Sequence, residues 1–365
     1  MTVQEIISEL NAWAPPSYQE SYDNASLITG QNHTIVKGIL ITLDCTEAIV
    51  GEAIEKGCNM IVAHHPIIFQ GLKTLTGKSY VERTVIKAIK NDIAIYTIHT
   101  NLDNIYTGVN KKICDTIGLD RCKILSPKKN TLCKLVTFAP YEHADDVIES
   151  IFNAGAGQVG NYDQCSYQIE GIGTFRPNDK ANPYLGQKGQ TQKEKEKRIE
   201  IILPKHLQSN ILKALKSTHP YEEVAYYFTD LTNENQEVGS GMIGQLPNEM
   251  NPTEFLQLLK TKFQLSVIKH TKVHKDKIKN IAVCGGSGSF LLKKAIAREA
   301  DVFVSSDFKY HEYFDTNDQI LIADIGHYES EVFTKELIYE FLNEKIANIA
   351  VNLSERGTNP IKYFK

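Results

Sequence analysis

The stretch NMIVAHHP, residues 59–66, decides how the rest is read. Its first half is an apolar run of strand length, Pro66 stops it, and two histidines stand where the strand ends. Two further stretches repeat the design. IAIYTIHTNLD (93–103) carries His99 and Asp103 at and just beyond a strand end, and QILIADIGHYESE (319–331) passes through Gly326 into a helix bearing His327 and Glu331. Outward from residues 59–66, the spacing predicts a strand over 35–44, a helix over 46–57, a helix over 79–91 and another over 108–118. Apolar strands alternating with helices are what a mostly parallel sheet with covered faces requires.

The pattern changes after SPKKN (126–130). A strand over 131–140, a helix over 143–157 and a strand over 165–175 lead into a polar stretch, RPNDKANPYLGQKGQTQKEKEK (176–197). Strand, helix and strand follow over 197–204, 205–217 and 222–231. This β-α-β-β-α-β order is that of a ferredoxin-like split βαβ unit. From residue 234 the first pattern resumes. The expected architecture is therefore an α/β domain built from residues 1–125 and 234–365, interrupted by a ferredoxin-like α+β insert over 126–233.

Composition bounds the function. The chain has 365 residues, 42% hydrophobic and 23% charged, so it has the make-up of a folded globular protein. Its formal net charge of -4 offers no basic excess and disfavours nucleic acid as a partner. No run of about 18 apolar residues exists, which excludes a membrane-spanning helix as read from sequence. Seven cysteines, without a C-x-x-C pair, read as reduced thiols in a cytoplasmic protein.

In open α/β sheets, ligands bind in the crevice outside the carboxyl ends of the strands. His64, His65, His99, Asp103, His327 and Glu331 all fall there if their strands are parallel neighbours. His327 and Glu331, at i and i+4, share one helix face. Adjacent His64 and His65 diverge in extended chain, so two ions would take one each, and a carboxylate such as Glu331 can bridge them. The expected centre is dinuclear: His65 and Asp103 on one ion, His64 and His327 on the other, Glu331 shared. Nitrogen and oxygen ligands suit zinc, manganese or iron(II). His99 reads either as support for a ligand or as ordinary core.

Three secondary features complete the reading. VCGGSGSF (283–290) is a glycine-rich turn, structural in the first instance but a candidate contact for a substrate phosphate. SSDFKYHEY (305–313) offers Asp307, Lys309 and His311 near another strand end, with His311 as the candidate catalytic proton donor or substrate-positioning group. KEKEKR (193–198) reads as a solvated linker edge.

Together, SYDNASLITG (21–30), AHHPIIFQGLKTLTG (63–77), HTNLDN (99–104) and DIGHYESE (324–331) resemble the GTP cyclohydrolase 1 type 2 homologue family, the NIF-three-like proteins. GAGQVGNYDQCSY (155–167) and HPYEEVAYYF (219–228) extend the resemblance into the insert, which in longer bacterial members is similar to the PII/CutA group. The resemblance implies a NIF-three-like α/β fold and two divalent metal ions per subunit on His64, His65, Asp103, His327 and Glu331. It also implies a toroidal homohexamer. Where many members read Trp-Asp-Asn-Val-Gly, this chain has Tyr22-Asp23-Asn24-Ala25-Ser26. The activity implied is a metal-dependent hydrolysis of a nucleotide-like small molecule, GTP by the family name, with opening of the guanine imidazole ring and loss of formate. The alternative is a non-catalytic metal-binding regulatory or scaffold hexamer.

Overall fold

The structure, a computed structural model, describes residues 1–364. The chain forms two compact units: Met1–Pro127 with the described residues from Glu237 onward, and Lys128–Gln236. No helix among the described residues is long and apolar enough to cross a membrane, and all seven cysteines are free thiols.

In the first unit, one sheet runs in the order Leu27–Thr29, Ala94–Thr97, Met60–Ala63, Gly38–Thr42, Ala350–Leu353. The last four strands are parallel, and the short first one pairs antiparallel. Alternate residues point to opposite faces, so the sheet feeds two cores. Ile39, Ile41, Met60, Val62 and Tyr96 enter the large core, where helices Val3–Trp13, Val109–Ile117 and Thr334–Lys345 also bury their apolar stripes. Leu40, Ile61, Ala63 and Ile95 pack instead under Ile49, Val50, Val85 and Ala88 of helices Glu47–Glu55 and Tyr80–Lys90. Because both faces are covered, the central strands are continuously apolar.

A second sheet is where the structure departs from the expected single parallel one. Its order is Lys269–His270, Leu321–Asp324, Val302–Ser306, Ile278–Ser287, Gly239–Met250, Asp120–Pro127. Only the pairings among Leu321–Asp324, Val302–Ser306 and Ile278–Ser287 are parallel; both flanks are antiparallel. The sequence hides the flanking strands because GSGMIGQLPNEM and DRCKILSP are written in glycine, proline and polar residues that otherwise signal turns. Glycine is a packing requirement there: a Cβ on Gly239 would stand 2.3 Å from the Ser126 carbonyl oxygen. One face of this sheet, through Met242, Ile281, Val283, Val302 and Val304, shares the large core with the first sheet. Its other face packs Ala282, Phe303 and Ile322 against Leu291, Leu292 and Ala295.

The second unit orders its antiparallel strands Tyr167–Phe175, Gln192–Pro204, Leu132–Pro140, Tyr226–Leu231. Helices Ala144–Asn153 and Gln208–Thr218 pack on them through Val147, Ile151, Ile211 and Leu215. The charge run KEKEKR lies inside the strand Gln192–Pro204 and is no linker edge. Its partner strand is almost wholly exposed, and of the run's charges only Glu196 is buried, where it accepts the Tyr221 hydroxyl.

Candidate metal centre

The carboxyl ends of parallel strands from both sheets converge on one cleft of about 960 Å³. Strand Met60–Ala63 delivers His64 and His65, whose backbone N–H groups continue the ladder to the carbonyls of Thr42 and Leu43. The short helix Thr100–Asn104 after strand Ala94–Thr97 delivers Asp103. From the second sheet, strand Leu321–Asp324 turns through Gly326, at φ +93°, into the one-turn helix His327–Glu331. The five side chains proposed as ligands thus meet, although they come from two sheets and not from one sheet edge.

Each histidine is anchored through Nδ1. His64 donates Nδ1–H to the Ile98 carbonyl at 2.9 Å, which leaves Nε2 without its proton and 3.5 Å from Asp103 Oδ1. His65 donates Nδ1–H to Asp44 Oδ1 at 2.8 Å and Nε2–H to Glu331 Oε2 at 2.9 Å. His327 donates Nδ1–H to Asp307 Oδ2 at 2.5 Å and Nε2–H to the same Glu331 oxygen at 3.0 Å. His99 holds Asp23 Oδ1 at 2.9 Å, while Asp23 Oδ2 accepts from the Thr100 backbone N–H and hydroxyl. Close contacts therefore group His64 with Asp103 and His65 with His327, around a shared Glu331. The sequence suggested instead His65 with Asp103 and His64 with His327, and ligand atoms of His64 and His65 also lie close to one another beside His99.

Charge follows burial and partners. Burial, reinforced by the neighbouring His65 charge, pushes His64 down to about 3. Burial also opposes charge on His65, but Asp44 and Glu331 outweigh it and raise the ring to about 10. His327 is likewise penalised by burial, and Glu331 and Asp307 lift it to about 9. Asp103 is pushed well above the carboxylate range by burial and then by the Glu331 charge. Glu331, more deeply buried than Asp103, is held well below that range by the hydrogen bonds from His327 and His65. Asp23 is lowered to about 2, its burial overcome by His99 and Thr100.

Among the described residues, three buried side-chain polar atoms lack a hydrogen-bond partner, and two of them are His64 Nε2 and Asp103 Oδ1. An orphaned buried polar atom costs about 1–3 kcal/mol. A lone pair and a carboxylate oxygen facing each other at 3.5 Å, both atoms buried, are what a divalent cation satisfies. Ligand atoms of His64, Asp103 and Glu331 lie within 4.8 Å of one another, as do those of His65, His327 and Glu331 and those of His64, His65 and His99. The donor set fits a metal.

Asp44 and Asp307 do work that was not read from the sequence. Both grip the far nitrogen of a histidine, and both are anchored in turn, Asp44 by the Thr358 hydroxyl at 2.6 Å and Asp307 by the Ser287 hydroxyl at 2.6 Å. Such carboxylates fix the ring and its tautomer. The signal was present, since each stands just after a strand, Gly38–Thr42 or Val302–Ser306.

The glycine-rich turn has a steric purpose. A Cβ on Gly286 would lie 2.4 Å from Glu331 Oε1, and one on Gly288 2.2 Å from Ser305 Oγ, so these glycines make room for the carboxylate and for strand packing. His311 lies elsewhere. It is exposed on the 3-10 turn Tyr310–Thr316, its ring 5.3 Å from that of Tyr310, and does not line the cleft.

The model of the Duf34/NIF3 (NGG1p interacting factor 3) family matches residues 1–360. The chain is 35% identical over 366 residues to a GTP cyclohydrolase 1 type 2 homolog of Halalkalibacterium halodurans, covering 99% of this chain and 98% of that one. It is 33% identical to the protein of the same name from Bacillus subtilis, at the same coverage. A crystal structure of a Bacillus cereus protein related to NIF3 superposes with a TM-score of 0.89 at 35% identity, covering 100% of this chain and 99% of that one.

Proposed function

This chain belongs to the Duf34/NIF3 family, and on that footing we propose a metal-dependent hydrolase with two divalent ions, acting on a nucleotide-like small molecule. The observation that carries the reading is the orphaned pair, His64 Nε2 facing Asp103 Oδ1 in a buried site beside Glu331. His64 and Asp103 would hold one ion, His65 and His327 the other, and Glu331 both. Zinc, manganese or iron(II) suits these donors. When bound, the ions supply Lewis acidity and lower the pKa of water to near neutrality.

The chain's own residues prepare that chemistry. Asp44, Asp307 and the Ile98 carbonyl orient the three rings so that every Nε2 points inward. His65 and His327, held charged by Glu331 with Asp44 and Asp307, would hold the second ion only after giving up their Nε2 protons. Ile67, Phe69 and Cys284 wall the cleft with apolar surface, which strengthens each electrostatic contact inside it. The name of the curated relatives points to GTP as the molecule hydrolysed. The ring-shaped homohexamer and a cytosolic location belong to the same proposal.

The test is turnover of GTP and of a phosphoester panel by protein loaded with zinc, manganese or iron(II). Metal-dependent turnover, lost in Glu331→Ala with the circular dichroism spectrum retained, is the expected result. Stoichiometric metal without turnover of any substrate refutes catalysis and leaves a metal-binding scaffold.

A further inference from the structure

Four large rings stand around the mouth of the same cleft: Tyr22, Phe69, Tyr80 and Phe290, each more than half exposed. They come from separate segments. Tyr22 follows the 3-10 turn Pro16–Tyr18, Phe69 and Tyr80 flank the loop after the His-His-Pro turn, and Phe290 sits in Ser289–Leu291 beyond the glycine-rich strand. Core packing does not account for rings left in solvent, and exposed apolar surface gathered at a concave site marks a place where something binds. Phe69 already lies edge-on to His99 at 6.2 Å, so its ring reaches the histidine cluster.

The charge of the cleft narrows the guest. The carboxylates lining it are Glu20, Asp44, Asp103 and Glu331, and its basic side chains are histidines. With Asp23 and Asp307 directly behind His99 and His327, these carboxylates more than offset the four positive charges that two divalent ions would bring. Such a site has no surplus charge to hold a triphosphate, whereas aromatic faces stack on any nucleobase whatever its charge.

We propose that the cleft takes a planar nitrogen heteroaromatic of low charge, at the level of a base or nucleoside, stacked by Phe69 and Phe290 over the histidine cluster. This rests on the hydrolase reading only in making that compound the substrate, and it puts a base or nucleoside in place of the GTP that the relatives' name suggests. Recognition then lies in the ring, and added phosphates weaken binding.

The experiment titrates full-length, zinc-loaded protein with guanine, guanosine, adenosine and GTP by calorimetry at physiological salt. Metal content, unfolding midpoint and mass in solution are read in parallel. Guanine and the nucleosides should bind at least about 10-fold more tightly than GTP, and the order of guanine and guanosine separates base from nucleoside. Phe69→Ala and Phe290→Ala should each weaken ring binding about 5- to 100-fold, with zinc content and midpoint unchanged. Binding of GTP above guanosine, no binding of any of the four, or rim variants with unaltered affinity overturns the proposal. So does a change confined to oligomeric mass, which would make the rings a contact between copies. Ring binding without turnover sinks the hydrolase reading alone. Turnover of a non-aromatic phosphoester untouched by the rim variants sinks this inference alone.

Discussion

Two places in this chain set histidine beside a carboxylate, and they put the imidazole to opposite uses. In the cleft of the first unit, His64, His65 and His327 each commit Nδ1 to an anchor and turn Nε2 toward a common centre. In the second unit, His219 spends both nitrogens on backbone. Nε2–H donates to the Phe138 carbonyl at 2.8 Å, and Nδ1 accepts the Tyr221 N–H at 3.1 Å. Nearby, Glu196 accepts the Tyr221 hydroxyl at 2.9 Å and fills the space that a Cβ on Gly173 would take. The presence of histidine beside a carboxylate does not separate the two places; converging ring nitrogens aimed at a common centre do.

The strongest way to break this contrast is to remove the shared carboxylate. Glu331→Gln keeps the shape but deletes the charge that His65 and His327 both face, and metal affinity should fall by more than about 100-fold. Metal analysis of the dialysed protein reads it, and stoichiometric metal in the variant would refute the centre as drawn. Asp44→Asn probes the anchoring alone. It leaves every proposed ligand in place but weakens the grip on His65 Nδ1, so affinity should drop about 10- to 100-fold. Unchanged affinity would mean that His65 needs no orienting partner.

The five side chains proposed as ligands were legible in the sequence because all stand where an apolar strand stops, and strand ends are marked by Pro66, Gly326 and the break in hydrophobicity. Their grouping was not, because it depends on two sheets meeting. The second sheet is flanked by Gly239–Met250 and Asp120–Pro127, strands written in turn residues. The anchoring roles of Asp44 and Asp307 were hidden for a related reason: Asp307 stood out only as a polar residue near a strand end and Asp44 not at all, and only the approach of a ring in space gives either its role. His311 was chosen for its nearness in sequence to a strand end, and the 3-10 turn Tyr310–Thr316 carries it outward instead. The glycine-rich stretch showed that small residues were needed, but not that the intruding atom is a carboxylate of Glu331.

The second unit supplies the reverse test. His219→Leu should leave metal content untouched, since both ring nitrogens already have partners in the backbone. It should cost about 1–2 kcal/mol of stability, because the Phe138 carbonyl and the Tyr221 N–H lose their bonds. Chemical denaturation of the full chain reads the loss, and a change in bound metal would place a second metal site where none is drawn.

The smallest effect comes from two aspartates of the first unit that titrate in opposite directions. Asp103 is raised, its burial uncompensated, and Oδ1 has no hydrogen-bond partner. Asp301 also pays for burial but ends below its ordinary 3.8, because Lys275 pairs with it and Oδ2 accepts the backbone N–H groups of Lys279 and Asn280 at 2.8 and 2.9 Å. A carboxyl lowered on folding contributes stability that is complete above its unfolded value and is lost as pH falls through the folded one. Asp301→Asn should therefore cost about 1 kcal/mol near neutrality, part of the pairing being screened at the half-exposed Lys275. The gap between the parent protein and the variant should close only below about pH 4. A gap that widened on acidification would reverse the sign and show that Asp301, like Asp103, is held against its own ionisation.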